Sequence, residues 1–214
     1  MKTFIQNHLP LSYQMHFWKG AYLNEAFVEQ VYHWLAMKFR SNTTVIDIDA
    51  AIGETAIYFA QFKEVDKVIA FEPSLKLYQC GKQMLEKCPL RDKIDYRYGA
   101  VSEKAGMTKV SDKILGNKQF SSIGNQQTGR EVKVYSLDEV LKQIDTPIAI
   151  KSDCEGDEKL IFPNSDLSKV YAIELEDHFN LRDHMKQVFE YKGFKTIELS
   201  GLNEMGCGLM GAWR

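Results

Sequence analysis

Carboxylates that follow short β-branched runs are the residues of this sequence with the clearest capacity for chemistry. In an open α/β sheet, ligands bind beyond the carboxyl ends of the parallel strands, near the point where the strand order reverses. We therefore expect these acids to meet in one crevice, where they would bind cationic groups, accept hydrogen bonds or support a base. Five runs have the pattern of buried parallel strands, and four of them end in carboxylates. The first ends in Asp47 and Asp49, the second in Glu72, the fourth in Asp153 and Glu155, and the fifth in the segment 174–178.

An alternation of strands and helices must position these residues. Apolar and β-branched runs predict the strands, and helical spacing with capping residues predicts the helices between them. This alternation implies parallel βαβ units with right-handed crossovers, and so a doubly wound α/β sheet with helices on both faces. The predicted strands are 44–48, 67–71, 94–98, 132–135, 147–152, 170–175 and 194–199, with 207–213 as a last strand at the sheet edge, and the predicted helices are 53–62, 74–88, 136–143 and 181–191.

The chain of 214 residues is predicted to be a single domain, with an N-terminal helical segment over 1–42 and an α/β core over 43–214. Asn24 is a plausible helix N-cap, and the apolar residues after it recur at helical spacing up to Phe39. One interpretation is a helix packed on the core, and the other is that the preceding segment covers the active site as a lid that excludes water. The helical positions are Phe27, Val28, Val31, Leu35 and Phe39.

A polar stretch over 111–130 interrupts the alternation and predicts a loop or excursion. Ser121 and Ser122 lie within it, where they would either contact an acceptor or belong to a surface loop. The stretch contains no recognised motif. The acceptor therefore cannot be deduced from it.

Composition excludes several classes of protein. The formal net charge of -2 shows no basic excess of the kind that marks nucleic-acid binding. No run approaches the roughly 18 apolar residues that span a membrane, and the start lacks the apolar core of a signal peptide. The four cysteines have no CxxC or metal-finger spacing, so reduced thiols in a cytoplasm are expected.

The first strand-end turn, 47–53, discriminates between two classes of cofactor. A dinucleotide needs glycines there, so that the backbone can approach its pyrophosphate, and this turn offers only Gly53. Asp47 and Asp49 would repel a pyrophosphate by roughly 1 kcal/mol per charge pair in water, and by more when partly buried. S-adenosylmethionine (SAM) instead carries a sulfonium and an ammonium cation. Glu72 fits either cofactor, because both place ribose hydroxyls at that position.

Several segments of the sequence resemble the FkbM-type methyltransferases. The resemblance covers about residues 43–199, in the family's order. Its most specific part is the Lys, Asp and Glu-Gly cluster over 150–158. The other matching segments are 45–55 with Asp47 and Gly53, 68–73 with Glu72, 136–141 with the pattern LDxLL, and 172–178 followed by Gly193-Phe194.

The resemblance implies a Rossmann-like SAM methyltransferase fold with a sheet of the seven-stranded type. It also implies SAM as methyl donor and a hydroxyl on a small molecule or carbohydrate as acceptor. Asp47 and Gly53 would shape the methionine end of the cofactor site, Glu72 would hold the ribose, and Asp153 would face the sulfonium. Ala100 and Val101 would lie near the adenine.

Two residues depart from the family pattern. Asp49 stands where the family has a glycine, and Ala51 where it usually has an asparagine. A side chain at a position that needs positive φ costs on the order of 1 kcal/mol. Asp49 would either bind the methionine ammonium or repel the methionine carboxylate. A methyltransferase-like module that has lost SAM and binds another ligand is therefore the second hypothesis, and an NAD-dependent oxidoreductase is the third.

Methyl transfer to a hydroxyl often needs a base, and His178 is the candidate because the ordinary pKa of histidine lies near neutrality. Glu176-Asp177-His178 fits the family's acid-x-His pattern. Asp153 and Glu155 would orient the acceptor or the base, or else they would only complement a helix N-terminus. The carboxylates would also suit Mg²⁺ or Ca²⁺, but no contiguous ligand pattern supports a metal and none is predicted.

Overall fold

A computed structural model describes residues 26–27, 29–110, 129–202 and 206–214, with the backbone of three short strands between 114 and 124. The helices are α1 (His33–Ala36), α2 (Glu54–Ala60), α3 (Leu75–Leu85), α4 (Leu137–Lys142), α5 (Glu158–Asn164) and α6 (Arg182–Tyr191). The strands are β1 (Thr43–Ile48), β2 (Val65–Glu72), β3 (Ile94–Tyr98), β4 (Ala100–Ser102), β5 (Gly106–Val110), β6 (Ile114–Leu115), β7 (Lys118–Gln119), β8 (Ile123–Gly124), β9 (Arg130–Ser136), β10 (Ile148–Ser152), β11 (Val170–Asp177), β12 (Lys195–Glu198) and β13 (Gly208–Trp213).

A seven-stranded sheet forms the centre of the fold, in the order β12-β13-β11-β10-β1-β2-β3. The five strands from β11 to β3 run parallel. Strand order reverses between β1 and β10, so their carboxyl ends border the crevice in which such sheets bind ligands. The doubly wound fold and the positions of its parallel strands confirm the prediction.

The last strand does not lie where the sequence predicted it. The segment 207–213 was expected at the sheet edge, but β13 lies inside the sheet, antiparallel to both β11 and β12. Composition explains the order, because β13 has no charged residue whereas β12 contains Lys195 and Glu198. The less apolar strand therefore takes the edge.

Two apolar layers cover the central sheet. All six residues of β1 and all five of β10 are buried, as expected for central parallel strands with helices on both faces. Helix α2 is buried along its whole length against one face, and α6 packs Met185 and Phe189 against the other. This packing fixes the positions of the turns that follow β1 and β10.

A smaller sheet with the strand order β4-β9-β5-β8 follows β3. The predicted strand 132–135 is part of β9, but it belongs to this second sheet rather than to the central one. Short strands occur within the stretch 111–130, which was expected to be a loop or an excursion, so it is not only a loop. Ser121 and Ser122 lie outside the described residues.

The predicted N-terminal helix is interrupted. Helical spacing predicted one helix up to Phe39, whereas residues 26–27 are helical, Gln30 has a left-handed φ of 52°, and α1 contains only four residues. The segment preceding residue 26, to which the lid was assigned, lies outside the described residues. Among the described residues, no helix is long and apolar enough to span a membrane.

Helix α1 closes over a row of polar residues that runs across the sheet. Asp47, Lys151 and Glu174 are in register on β1, β10 and β11, and so project from the same face. The Leu35 N–H donates to Glu174 Oε2 at 2.8 Å. The Tyr32 ring lies 5.2 Å from Lys151 Nζ. The N-terminal segment therefore seals the row from solvent.

Glu174 makes stability depend on pH. Burial raises its pKa to about 8, and the hydrogen bond from Leu35 only partly opposes this. The folded protein therefore keeps a proton that the unfolded chain releases above pH ~4.3, so stability falls as pH rises between these two values. We expect Glu174→Gln to remove most of this loss, on the order of 1 kcal/mol per pH unit.

Urea denaturation at pH 5 and pH 8 measures this effect. Gln retains an oxygen that can accept the Leu35 N–H, so the variant is expected to fold. Glu86→Gln is the matched control, because Glu86 is exposed and lies outside the row. An equal loss of stability between the two pH values in wild type and Glu174→Gln would contradict this account.

Candidate functional site

The turn between β1 and α2 has an unusual backbone. Asp49, Ala51 and Gly53 have left-handed φ values of 64°, 45° and 81°. Glycine adopts this region freely, whereas Asp and Ala adopt it at a cost. The sequence expectation that position 49 requires positive φ is therefore confirmed. The predicted cofactor turn therefore contains two strained residues, Asp49 and Ala51.

A buried ion pair anchors this turn to the neighbouring strand. Lys151 Nζ lies 3.3 Å from Asp47 Oδ1, and the two side chains are 3% and 0% exposed. Lys151 also donates to the carbonyl oxygen of Asp49 at 2.8 Å, and Thr55 donates to Asp47 Oδ2 at 2.5 Å. Burial alone would lower the pKa of Lys151, but the charges of Asp47, Asp153 and Asp49 outweigh it and raise that pKa. The lysine therefore remains charged.

Glu72 lies at the end of β2, fully buried. Its Oε1 accepts the Ser74 N–H at 2.6 Å, while Oε2 has no hydrogen-bond partner among the described residues. Burial, followed by the charge of Asp49, raises its pKa. A buried acceptor oxygen without a donor fits a ligand that brings hydroxyl groups to this strand end.

The carboxyl groups of Asp49 and Glu72 lie close enough to affect each other's pKa. Burial, followed by the charge of Asp153, raises the pKa of Asp49 to about 7. Burial and the neighbouring carboxylates therefore disfavour the ionised form of Asp49. Its side chain lies at the Glu72 end of the turn, and so at the predicted ribose position.

An apolar pocket extends from this turn. Ala100 and Val101 are buried in its wall, at the position predicted for adenine. Asp49, which stands where the family has a glycine, also lines this pocket. The remaining lining residues are Ile48, Phe71, Pro73, Gly99 and Cys154.

A second group of polar residues gathers at the ends of β10 and β11. His178 Nε2 lies 3.5 Å from Glu155 Oε2, 3.7 Å from Glu176 Oε1 and 3.8 Å from Asp153 Oδ1. The His178 side chain is only 7% exposed, whereas the three acids are 22–33% exposed. The three residues predicted to act on the acceptor, Asp153, Glu155 and His178, are thus brought together.

Glu158 supports this cluster, although the sequence analysis assigned it no role. Its carboxylate accepts the backbone N–H groups of Cys154 at 2.6 Å and of Gly156 at 2.9 Å. It is fully buried in the first turn of α5. Glu158 therefore holds the turn between β10 and α5 through two backbone N–H groups. Glu155 has a left-handed φ of 53° within this turn.

The strand order, the acidic turn and the carboxylate at the end of β2 together define a Rossmann-like methyltransferase fold. The family model described as "Methyltransferase FkbM domain" matches residues 47–196. The chain belongs to this family of methyltransferases.

Solved structures share the fold at low sequence identity. Methyltransferase FkbM from Methylobacillus flagellatus matches with a TM-score of 0.58 and 14% identity, covering 99% of this chain and 58% of that one. Precorrin-6y C5,15-methyltransferase from Geobacter metallireducens matches at 0.53 and 13%, covering 87% and 89%. TrmK from M. capricolum, in complex with S-adenosylhomocysteine (SAH), matches at 0.52 and 11%, covering 85% and 66%. No curated protein matches the chain by sequence.

Removal of the Lys151 charge is predicted to destabilise the fold. Lys151→Met would leave Asp47 buried and without its cation, which costs about 3–5 kcal/mol when one partner of a buried pair is lost. The measurement is the free energy of unfolding from urea denaturation. Lys63→Met is the control, since the Lys63 side chain is 91% exposed and pairs only at the surface with Glu64. Similar small losses of unfolding free energy in Lys151→Met and Lys63→Met would show that the buried pair contributes little to stability.

Proposed function

We propose that this methyltransferase uses SAM to methylate a hydroxyl group on a small molecule or carbohydrate. The proposal rests on one observation: two distinct groups of residues, here called half-sites, lie where the strand order reverses between β1 and β10. The ends of β1 and β2 present a buried acceptor oxygen beside an apolar pocket. The ends of β10 and β11 present a buried imidazole among carboxylates. A donor and an acceptor bound in these halves would meet between them.

The first half fits SAM. Glu72 Oε2 would accept hydrogen bonds from the ribose, and the wall formed by Ala100 and Val101 would contact the adenine. Asp47 and Gly53 would shape the methionine end, with Asp153 facing the sulfonium. When bound, SAM supplies an electrophilic methyl group. The SAH in TrmK, which shares this fold, supports the choice of cofactor.

The second half fits a hydroxyl acceptor. His178 would receive the hydroxyl proton on Nε2 as the oxygen attacks the methyl group. Negative charges of Asp153, Glu155 and Glu176 would stabilise the positive imidazole that results. Asp153 and Glu155 are also placed to orient the acceptor. The acidic surroundings and the net charge of -2 favour a neutral small acceptor over a nucleic acid.

Phe179 supports the same class of acceptor. Its side chain is 67% exposed and its ring centroid lies 6.1 Å from that of His178. It has a left-handed φ of 56°, and a Cβ on Gly156 would approach its ring to 3.0 Å. An exposed aromatic ring beside a candidate base is a suitable surface for the apolar face of a sugar or another ring.

The second candidate function is a methyltransferase-like module with a degenerate SAM site. Asp49 and Ala51 favour it, because both have left-handed backbone in the cofactor turn and Asp49 faces the pocket. Binding of the cofactor discriminates between the two functions.

Isothermal titration with SAM and SAH tests the cofactor assignment. We expect wild-type protein to bind both, and the double variant Asp49→Gly/Ala51→Asn to bind about tenfold more tightly or better. The reason is that the variant removes a carboxyl from the ribose position and relieves left-handed strain. The control is Asp92→Asn, an exposed aspartate outside the turn. If neither wild type nor double variant bound at millimolar cofactor, SAM dependence would be rejected.

The His178→Gln variant tests the acceptor half. SAH release is followed with a panel of sugars, phenols and other hydroxyl compounds until an acceptor is found. With that acceptor, we expect kcat to fall about 10²–10⁴-fold, the range for loss of a general base, while SAM affinity stays within twofold. His184→Gln, at an exposed histidine of α6, is the matched control. Unchanged kcat in His178→Gln would remove His178 from the reaction.

A further inference from the structure

Three carboxylates surround the His178 imidazole at distances longer than those of hydrogen bonds to it. Carboxylate oxygens of Asp153, Glu155 and Glu176 approach Nε2 from three neighbouring positions at 3.5–3.8 Å. Hydrogen bonds between such groups are ordinarily about 2.7–3.2 Å long. The side chains converge on one nitrogen without any of them closing to bonding distance.

These separations are slightly longer than those between ligands that share a metal ion. With metal–ligand bonds of about 2.1 Å, neighbouring donor atoms lie roughly 3.0–3.4 Å apart in octahedral or tetrahedral geometry. One donor atom from each of Asp153, Glu155 and His178 lies within 4.8 Å of the other two. Small rotations of partly exposed carboxylates would bring the three donors onto one ion.

The state of His178 is an independent indication of a ligand. Its side chain is more than nine-tenths buried. Nδ1 has no hydrogen-bond partner among the described residues, and the carboxylate oxygens nearest Nε2 lie 3.5–3.8 Å away, beyond ordinary hydrogen-bond length. A buried imidazole directed at several carboxylates at such distances is unusual in a folded protein.

We propose that Asp153, Glu155 and His178 bind a divalent cation, with Glu176 at the open side of the site. Two or three carboxylates and one imidazole form a mixed oxygen and nitrogen set, which suits Mn²⁺ better than a cation that takes only oxygen ligands. The sequence analysis predicted no metal because the ligands are not contiguous. Asp153 and Glu155 follow β10 and His178 follows β11, and the parallel pairing of these two strands brings them together.

A different set of ligands includes the same histidine. Glu176, His178 and Cys207 also lie within 4.8 Å of one another, and a thiolate would favour Zn²⁺. We favour the first set because three carboxylate oxygens surround Nε2. Cys207 belongs only to the second set, so a substitution of Cys207 distinguishes the two sets.

Binding of the ion does not depend on methyl transfer, but its use in catalysis rests on the proposed function. An ion at this position would coordinate the acceptor hydroxyl and lower its pKa. An ion and a proton compete for the same lone pair of Nε2. The imidazole would therefore be the base only in ion-free protein, and the ion would activate the hydroxyl in ion-loaded protein.

Electron paramagnetic resonance with Mn²⁺ tests the proposal without SAM or an acceptor. The protein is stripped with EDTA, dialysed and titrated, and binding is read as loss of the six-line signal of free Mn²⁺. We expect one site per chain. Affinity should fall about tenfold or more in Glu155→Gln and His178→Gln, since the removal of a ligand exceeds the effect of altering its surroundings. Asp92→Asn, His184→Gln and Cys207→Ser should bind as wild type does.

A pulsed electron paramagnetic resonance measurement on wild-type protein avoids the risk that the His178→Gln variant fails to fold. Coupling of bound Mn²⁺ to a ¹⁴N nucleus is expected if His178 is a ligand. Three results would overturn the proposal: no stoichiometric binding at about 1 mM Mn²⁺, binding without ¹⁴N coupling, or a tenfold loss in Cys207→Ser. Calorimetric binding of SAM in EDTA, measured separately, shows whether the proposed function fails on its own.

Discussion

The buried pair of Lys151 and Asp47 is the interaction on which the rest of the site depends. It joins β10 to the end of β1 at the point where the strand order reverses. The same ammonium group donates to the carbonyl oxygen of Asp49, so one side chain restrains both the charge and the backbone of the cofactor turn. A buried pair of this kind adds little net stability, but loss of one partner leaves a charge that burial penalises.

The pair also divides the site into its two halves. On one side lie Glu72 and the apolar pocket, and on the other lie Asp153, Glu155 and His178. Tyr32 contacts both the ion pair and the second half, because its ring lies 5.2 Å from Lys151 Nζ and its hydroxyl lies 3.5 Å from Asp153 Oδ2. A segment without a recognised motif thus contributes directly to the surroundings of the predicted catalytic residues.

The sequence predicted the position of a residue where the strand topology alone determines that position. Parallel strands place their carboxyl ends on one edge, so Glu72 and Asp153 were predictable without any contact information. The order of β12 and β13 was not, because it depends on how much of each strand can be buried. Glu158 was missed for a similar reason: its role arises from backbone N–H groups that only the folded turn presents. Left-handed φ at Asp49 was foreseen only because the family has glycine there.

A crystal structure with bound SAH would test most directly the claim that the two halves form one methyl-transfer site. The account predicts ribose hydroxyls on Glu72, adenine against Ala100 and Val101, and the sulfur atom facing Asp153 and the His178 cluster. Asp49 is expected to turn away from Glu72 to admit the ribose. Density for SAH on another part of the molecule, or a sulfur atom directed away from His178, would contradict it.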